Sequence, residues 1–265
     1  MEEYRLVCEL YAHEGPVRCL SLGPSGEIVS GSSADMPNIR RWRVTRGSSS
    51  GLPELFEEGS SVPHDHWVMA LTLLPSGLPS QPMFPQGAII TGCKDSKIRV
   101  ISPSGEVMFI LEGHSKSVIS FSWTATGQLL SGSWDGTAKI WDLASGGQCV
   151  ATLEKHENAV NVLGLPNGQI ITTSTGESVN SKPDNFFIRY WDASGRQIGK
   201  NIKDHQMPIK SICPLTAIEA YATSSNDGTV RIRSMELSAS GEPVTLGVLC
   251  HPMDDDGTPT MVHQW

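Results

Sequence analysis

The sequence predicts an all-β protein of the β-propeller class, with five readable blades and the start of a sixth. Three observations predict it. A histidine followed four positions later by Val or Ile recurs five times, each leads into alternating apolar residues that end at a turn aspartate, and no stretch sustains a helical period.

The recurring pairs are His13–Val17, His64–Val68, His114–Val118, His156–Val160 and His205–Ile209. The histidines stand 51, 50, 42 and 49 residues apart, near the ~40–45 residues of a four-stranded blade with loops added. Residues 129–143, LLSGSWDGTAKIWDL, give the cleanest copy, while 28–42, 89–101 and 221–233 are looser and 171–192 carries an insertion before its aspartate. Blades are expected at about 11–44, 62–102, 112–143, 154–193 and 203–235.

The polar members of the repeat resemble WD repeats. In those repeats a turn aspartate, the histidine, a second-strand Ser or Thr and a third-strand Trp form a buried hydrogen-bond chain that pins turns and register. The matching sets are His13, Ser30, Asp35, Trp42; His64, Thr91, Asp95; His114, Ser131, Asp135, Trp141; His156, Thr172, Asp184, Trp191; and His205, Thr223, Asp227. Ile101 and Arg233 stand where Trp is expected, so blades two and five should be held less tightly at the third strand. A Ser–His–Asp set also invites a hydrolase reading. Catalytic triads occur once per active site, however, and this set repeats at blade spacing with Ser and Thr exchanging. No catalytic residue is expected, and the reading is of a non-enzyme.

Composition bounds the partners. Hydrophobic residues make up 38% and charged residues 18% of the 265, with a net charge of −8, which is globular and acidic. No basic run points to a nucleic-acid backbone, and no apolar stretch approaches the ~18 residues of a membrane span. The start, MEEYRLVCEL, is unlike a signal peptide. Cys8, Cys19, Cys93, Cys149, Cys213 and Cys250 are never closer than 11 positions, a spacing without a zinc clip or redox pair. They read as small buried hydrophobes in a reducing compartment, cytoplasm or nucleus. No metal or other cofactor is expected.

At the ends, residues 4–10 read as an outer strand that closes a ring, and PVTLGVL (243–249) as the outer strand of blade five. Residues 250–265 read as an acidic turn and the first strand of a further blade, TMVHQW, so an incomplete ring truncated in its sixth blade is expected. Residues 45–61 look like an exposed linker, and the four-proline stretch 75–87 looks like surface decoration between the first two strands of blade two.

Several stretches are similar to the N-terminal propeller of the phospholipase A-2-activating protein family. They are YRLVCEL with His13, the proline-rich insertion leading to PQGAIITGCKDSKIRV (85–100), FILEGHSKSV (109–118) and LLSGSWDGTAKIW (129–141). The resemblance implies a ubiquitin-binding cofactor of the AAA-type segregase ATPase, with ubiquitin or a ubiquitinated protein bound on one propeller rim. Family members reach the ATPase through C-terminal domains absent from these residues, so that contact is not expected here.

The rim can be placed from the repeat. Positions three and five after each histidine, and the residue before each aspartate, should share one end of the blades. These are Pro16, Arg18 and Ala34; Trp67, Met69 and Lys94; Ser117, Ile119 and Trp134; Ala159 and Asn161; and Pro208, Lys210 and Asn226. Of these, Arg18, Trp67, Met69, Lys94, Ile119, Trp134, Asn161, Lys210 and Asn226 are the candidate partner-binding residues. Trp67, Met69, Ile119 and Trp134 are expected near one another as an apolar cluster on a polar rim, the usual look of a binding hot spot. Two readings stay open, a ubiquitin-binding propeller and a generic scaffold for another protein or peptide.

Overall fold

Apolar alternation broken by Gly, Asp, Asn and Ser turns folds the chain into antiparallel meanders, five of them among the described residues. The structure is a computed structural model and describes residues 13–23, 26–33, 38–46, 53–57, 64, 66–75, 77–78, 83–153, 156–175 and 186–250. The expected fold class, all-β with β-propeller blades, is what it contains. Contacts divide the chain into two compact units, residues 1–113 and 114–265.

The first unit holds two four-stranded blades in sequential order. Blade one is β1 (Val17–Leu22), β2 (Ile28–Ser32), β3 (Ile39–Arg46) and β4 (Pro53–Glu57). Blade two is β5 (Val68–Leu73), β6 (Ile89–Cys93), β7 (Ile98–Ile101) and β8 (Val107–Leu111). Their core lies between the sheets, where Val29 and Ile39 meet Val68, Leu71, Ile89, Cys93 and Ile101. Each such side chain contributes about 1.5–3 kcal/mol on burial. Asn38 fastens the pair, accepting from the His64 N–H at 2.8 Å and donating to the His64 carbonyl at 3.0 Å.

Two expectations are corrected here. The stretch 45–61 is not simply a linker, because β3 continues to Arg46 and Pro53–Glu57 pairs with it as the outer strand. The proline-rich stretch is more than decoration: Phe84 is buried and meets Phe109 edge-on, ring centroids 5.9 Å apart. An apolar anchor holds the insertion down although its prolines prevent pairing.

Leu20 stands seven residues after His13, as Leu71 does after His64. Leu71 is 8% exposed against blade one, whereas Leu20 is 66% and Leu22 75% exposed.

The second unit holds blade three, β9 (Val118–Trp123), β10 (Leu129–Ser133), β11 (Ala138–Asp142) and β12 (Gln148–Leu153). Blade four is β13 (Val160–Gly164), β14 (Ile170–Ser174), β15 (Ile188–Trp191) and β16 (Gln197–Ile202). Blade five is β17 (Ile209–Leu215), β18 (Ala220–Ser225), β19 (Thr229–Leu237) and β20 (Pro243–Cys250). Leu130, Ile140, Val160 and Val162 pack blade three on blade four, and Leu163, Tyr190, Ile209 and Tyr221 pack blade four on blade five. Ser120 splices the first pair, donating to the Val160 carbonyl and accepting from the Val162 N–H, each at 3.2 Å.

Residues 4–10 and 251–265, with the closing strand and the further blade expected there, lie outside the described residues. The cysteine expectation needs correction as well. Cys93 is buried and Cys19 half-buried, but Cys149, Cys213 and Cys250 are exposed on strands that carry them on solvent-facing sides.

Candidate protein-binding surface

The surface rests on a polar skeleton inside each blade. In blade three the chain is complete. His114 Nε2 meets Ser131 Oγ at 2.8 Å, Trp141 Nε1 donates to the same hydroxyl at 2.8 Å, and His114 Nδ1 meets Asp135 Oδ2 at 2.9 Å. Asp135 also accepts from the Ser115 and Thr137 N–H groups at 2.9 and 2.8 Å. Burial alone would raise its carboxyl, but the bonds from His114, Thr137 and Ser115 win and hold it well below the usual carboxylate range.

Blade five repeats this with His205 to Thr223 at 2.9 Å and to Asp227 at 2.9 Å. Burial dominates at His205 and pushes its imidazole down despite the Asp227 bond. In blade four, His156 and Trp191 meet Thr172 Oγ1 at 2.7 and 2.8 Å. Burial, helped by the Arg189 charge, pushes the His156 imidazole down to about 3. In blade one, His13 and Trp42 meet Ser30 Oγ at 2.7 and 3.0 Å. Asp35 and Asp184 lie outside the described residues.

Two blades depart from the expected pattern. In blade two, His64 meets Thr91 at 2.9 Å, but the Asp95 carboxylate forks onto Arg99, at 2.6 and 3.3 Å. A guanidinium four residues along the same hairpin is a stronger partner for a carboxylate than a neutral imidazole. Ile101 fills the Trp place as a fully buried core residue.

In blade five the third strand is tied rather than loose. Arg233 is buried, its Nη1 donates to Thr223 Oγ1 at 3.0 Å as an indole would, and its Nη2 pairs with Asp204. The Tyr190 and Tyr221 hydroxyls are hydrogen-bonded to each other nearby. Burial raises both phenols, Tyr221 up to about 12. Asp204 escaped the sequence reading. Its signal was an acid directly before the repeat histidine in the one blade with Arg at the Trp position.

The hydroxyls of Ser30, Thr91, Ser131, Thr172 and Thr223 are buried, so none presents a nucleophile to a substrate. What they position is the turn end of each blade. One backbone hydrogen bond ties the loop before the innermost strand to the aspartate turn: Ser33 N to Pro16 O, Lys94 N to Trp67 O, Trp134 N to Ser117 O, Thr175 N to Ala159 O and Asn226 N to Pro208 O, at 2.7–3.2 Å. In blade one Ser33 makes this bond; Ala34 lies outside the described residues.

The side chains at these turns differ. In the first unit Trp67 is 42% exposed, with Lys94 Nζ 4.0 Å and Arg18 Cζ 5.7 Å from the ring centroid, and Met69 is half-buried beside it in sequence. In the second unit Trp134 is 47% exposed and Ile119 half-buried in the β9 bulge. Lys210 and Asn226 are half-buried. Asn161 is not a rim contact. It is buried, and its amide donates to the Lys210 carbonyl at 3.0 Å, a staple between blades four and five.

Among known families, the WD domain, G-beta repeat model matches residues 4–36 and 105–142. Those two stretches are similar to WD40 repeats. It is 37% identical over 160 residues to phospholipase A-2-activating protein of Xenopus laevis, covering 59% of this chain and 18% of that protein. It is 29% identical to nuclear distribution protein PAC1 of Ajellomyces capsulatus, covering 59% of this chain and 36% of the relative. Pre-mRNA-processing factor 19 of Bos taurus matches at 28%, covering 62% of this chain and 30% of the relative. The chain thus spans 18–36% of the length of these three relatives. A solved structure, the computationally designed Ika8 protein, superposes with a TM-score of 0.64 at 18% identity, over 97% of this chain and 66% of that one, a likeness of fold alone. A likeness of this kind places the blades and does not by itself assign a function. Among the described residues no helix is long and apolar enough to cross a membrane.

Proposed function

We propose that this chain recognises ubiquitin, free or attached to another protein, in ubiquitin-dependent protein degradation as part of a segregase cofactor. The observation that carries the reading is Trp134, an indole 47% exposed on a turn that the Asp135 network makes rigid. An exposed aromatic on a pre-ordered turn is a low-entropy anchor for a shallow apolar patch such as ubiquitin presents. The net charge of −8 suits the basic border of that patch. The likeness to phospholipase A-2-activating protein supports the same reading. With it goes a cytoplasmic and nuclear location.

Capture on immobilised mono-ubiquitin tests it. The chain is expected to be retained and Trp134→Ala lost. Equal retention of both removes Trp134 as the anchor, and retention of neither removes ubiquitin as the partner.

A further inference from the structure

The turn end that presents Trp134 also presents a cation. Lys116, two residues after His114 in the loop before β9, is exposed. Two neighbouring hydrogen bonds fix that loop against the Trp134 turn: Ser133 Oγ donates to the Lys116 carbonyl at 3.1 Å, and Trp134 N donates to the Ser117 carbonyl at 2.9 Å. The acids nearest in sequence are engaged elsewhere. Asp135 accepts from the Ser115 and Thr137 N–H groups and from the Thr137 hydroxyl, and meets His114. Glu112 pairs with Lys97 at 2.7 Å. Among the described residues no carboxylate forms an ion pair with Lys116. Glu154 and Lys155, neighbours of opposite charge before His156, lie outside the described residues.

We propose that Lys116 is a specificity-determining charge beside the Trp134 anchor, one that limits the affinity of this surface for ubiquitin; the inference rests on the ubiquitin reading. The net charge of −8 draws in a basic-bordered partner from a distance. At contact the nearest charge counts most, and an ammonium beside a basic border sets like charges together. Removing that charge strengthens the complex, and reversing it strengthens it further. A partner with a neutral or acidic border loses nothing to Lys116, so the residue ranks partners as well as weakening one of them.

The test is a fluorescence-anisotropy titration of labelled mono-ubiquitin with the full chain, at low and at physiological salt. Relative to the parent, Lys116→Gln is expected to bind about twofold and Lys116→Glu about fivefold more tightly at low salt. The gain should shrink as salt rises. Arg196→Glu makes the same change of charge in the exposed β15–β16 turn, at the opposite end of blade four from its β14–β15 turn. It should alter affinity by less than about twofold. On ubiquitin with acetylated lysine amines, the gain from Lys116→Glu should shrink, because part of the border charge is gone. The loop is held through the Lys116 carbonyl, so both variants should keep the fold, which circular dichroism checks. Equal or weaker binding by Lys116→Glu, an equal gain from Arg196→Glu, or an undiminished gain on acetylated ubiquitin overturns the proposal. If neither the parent nor Lys116→Glu binds ubiquitin, the ubiquitin reading fails and this inference with it. If the parent binds, loses binding with Trp134→Ala and gains none with Lys116→Glu, this inference fails alone.

Discussion

Arg233 occupies the place of an indole: its Nη1 donates to Thr223 Oγ1 at 3.0 Å, where Trp141 Nε1 donates to Ser131 Oγ at 2.8 Å in blade three. Its other nitrogen holds Asp204. Arg233→Met should leave the partly buried Asp204 carboxylate with Arg231, 3.8 Å away, and Thr223 Oγ1 with His205, lowering stability by about 1–3 kcal/mol. Arg233→Trp alone should recover only part of that loss, and Arg233→Trp with Asp204→Asn should recover more. Urea denaturation followed by circular dichroism ranks the variants; equal stability of Arg233→Met and the parent would show that the pair does not hold the blade.

The Asp-Gly turn of blade three depends on a missing side chain. Gly136 has φ +80°, and a Cβ there would stand 2.1 Å from the His156 carbonyl oxygen. Gly146 has the same φ with nothing within 4 Å. Gly146→Ala should cost about 1–2 kcal/mol of backbone strain, and Gly136→Ala clearly more. Thermal melts of the two variants separate strain from clash.

Acid should loosen the second unit before carboxylates protonate. His156 sits at about 3 in the fold, against about 6.5 in an unfolded chain. Above pH 6.5 neither state is protonated and the stabilising contribution is whole. Between 6.5 and 3 only the unfolded chain takes the proton, so stability falls as pH falls, by about 2 kcal/mol from pH 6.5 to 5. His205 shifts in the same direction. Asp135 and Asp227, both lowered, add losses only below the usual carboxylate range. Urea midpoints at successive pH values measure the slope, and His156→Gln should flatten it.

The exposed leucines of β1 should be adhesive. Leu20 and Leu22 are 66% and 75% exposed where the equivalent Leu71 is buried, and an apolar face of that kind promotes association. Leu20→Glu with Leu22→Glu should lower the apparent mass in light scattering at high concentration. An unchanged mass would show that the face does not drive association.

Spacing made much of the fold legible. One histidine-to-aspartate unit, met five times, dictates period-two strands and Asp-centred turns, and His114, Ser131, Asp135 and Trp141 come together as that spacing implies. What stayed hidden depends on substitution. Arg233 looked like a lost tryptophan because its partner, Asp204, lies outside the repeat pattern. Asp95 looked like its counterparts because nothing in spacing ranks Arg99 above His64 as its partner. Asn161 falls on the predicted rim by count, but its amide finds a carbonyl on the next blade and is buried. The acidic stretch before residue 58 read as linker because charge masked a short outer strand, Pro53–Glu57, whose Glu57 meets Arg40 at 3.2 Å.

The docking surface proposed above is the turn end of blade three, with Trp134 as its anchor. Titrating the chain into isotope-labelled ubiquitin and following its amide resonances tests that most directly. Perturbations are expected to be confined to ubiquitin's apolar patch and its border, and to vanish with Trp134→Ala. An unperturbed spectrum, or the same perturbations with the tryptophan removed, would contradict it.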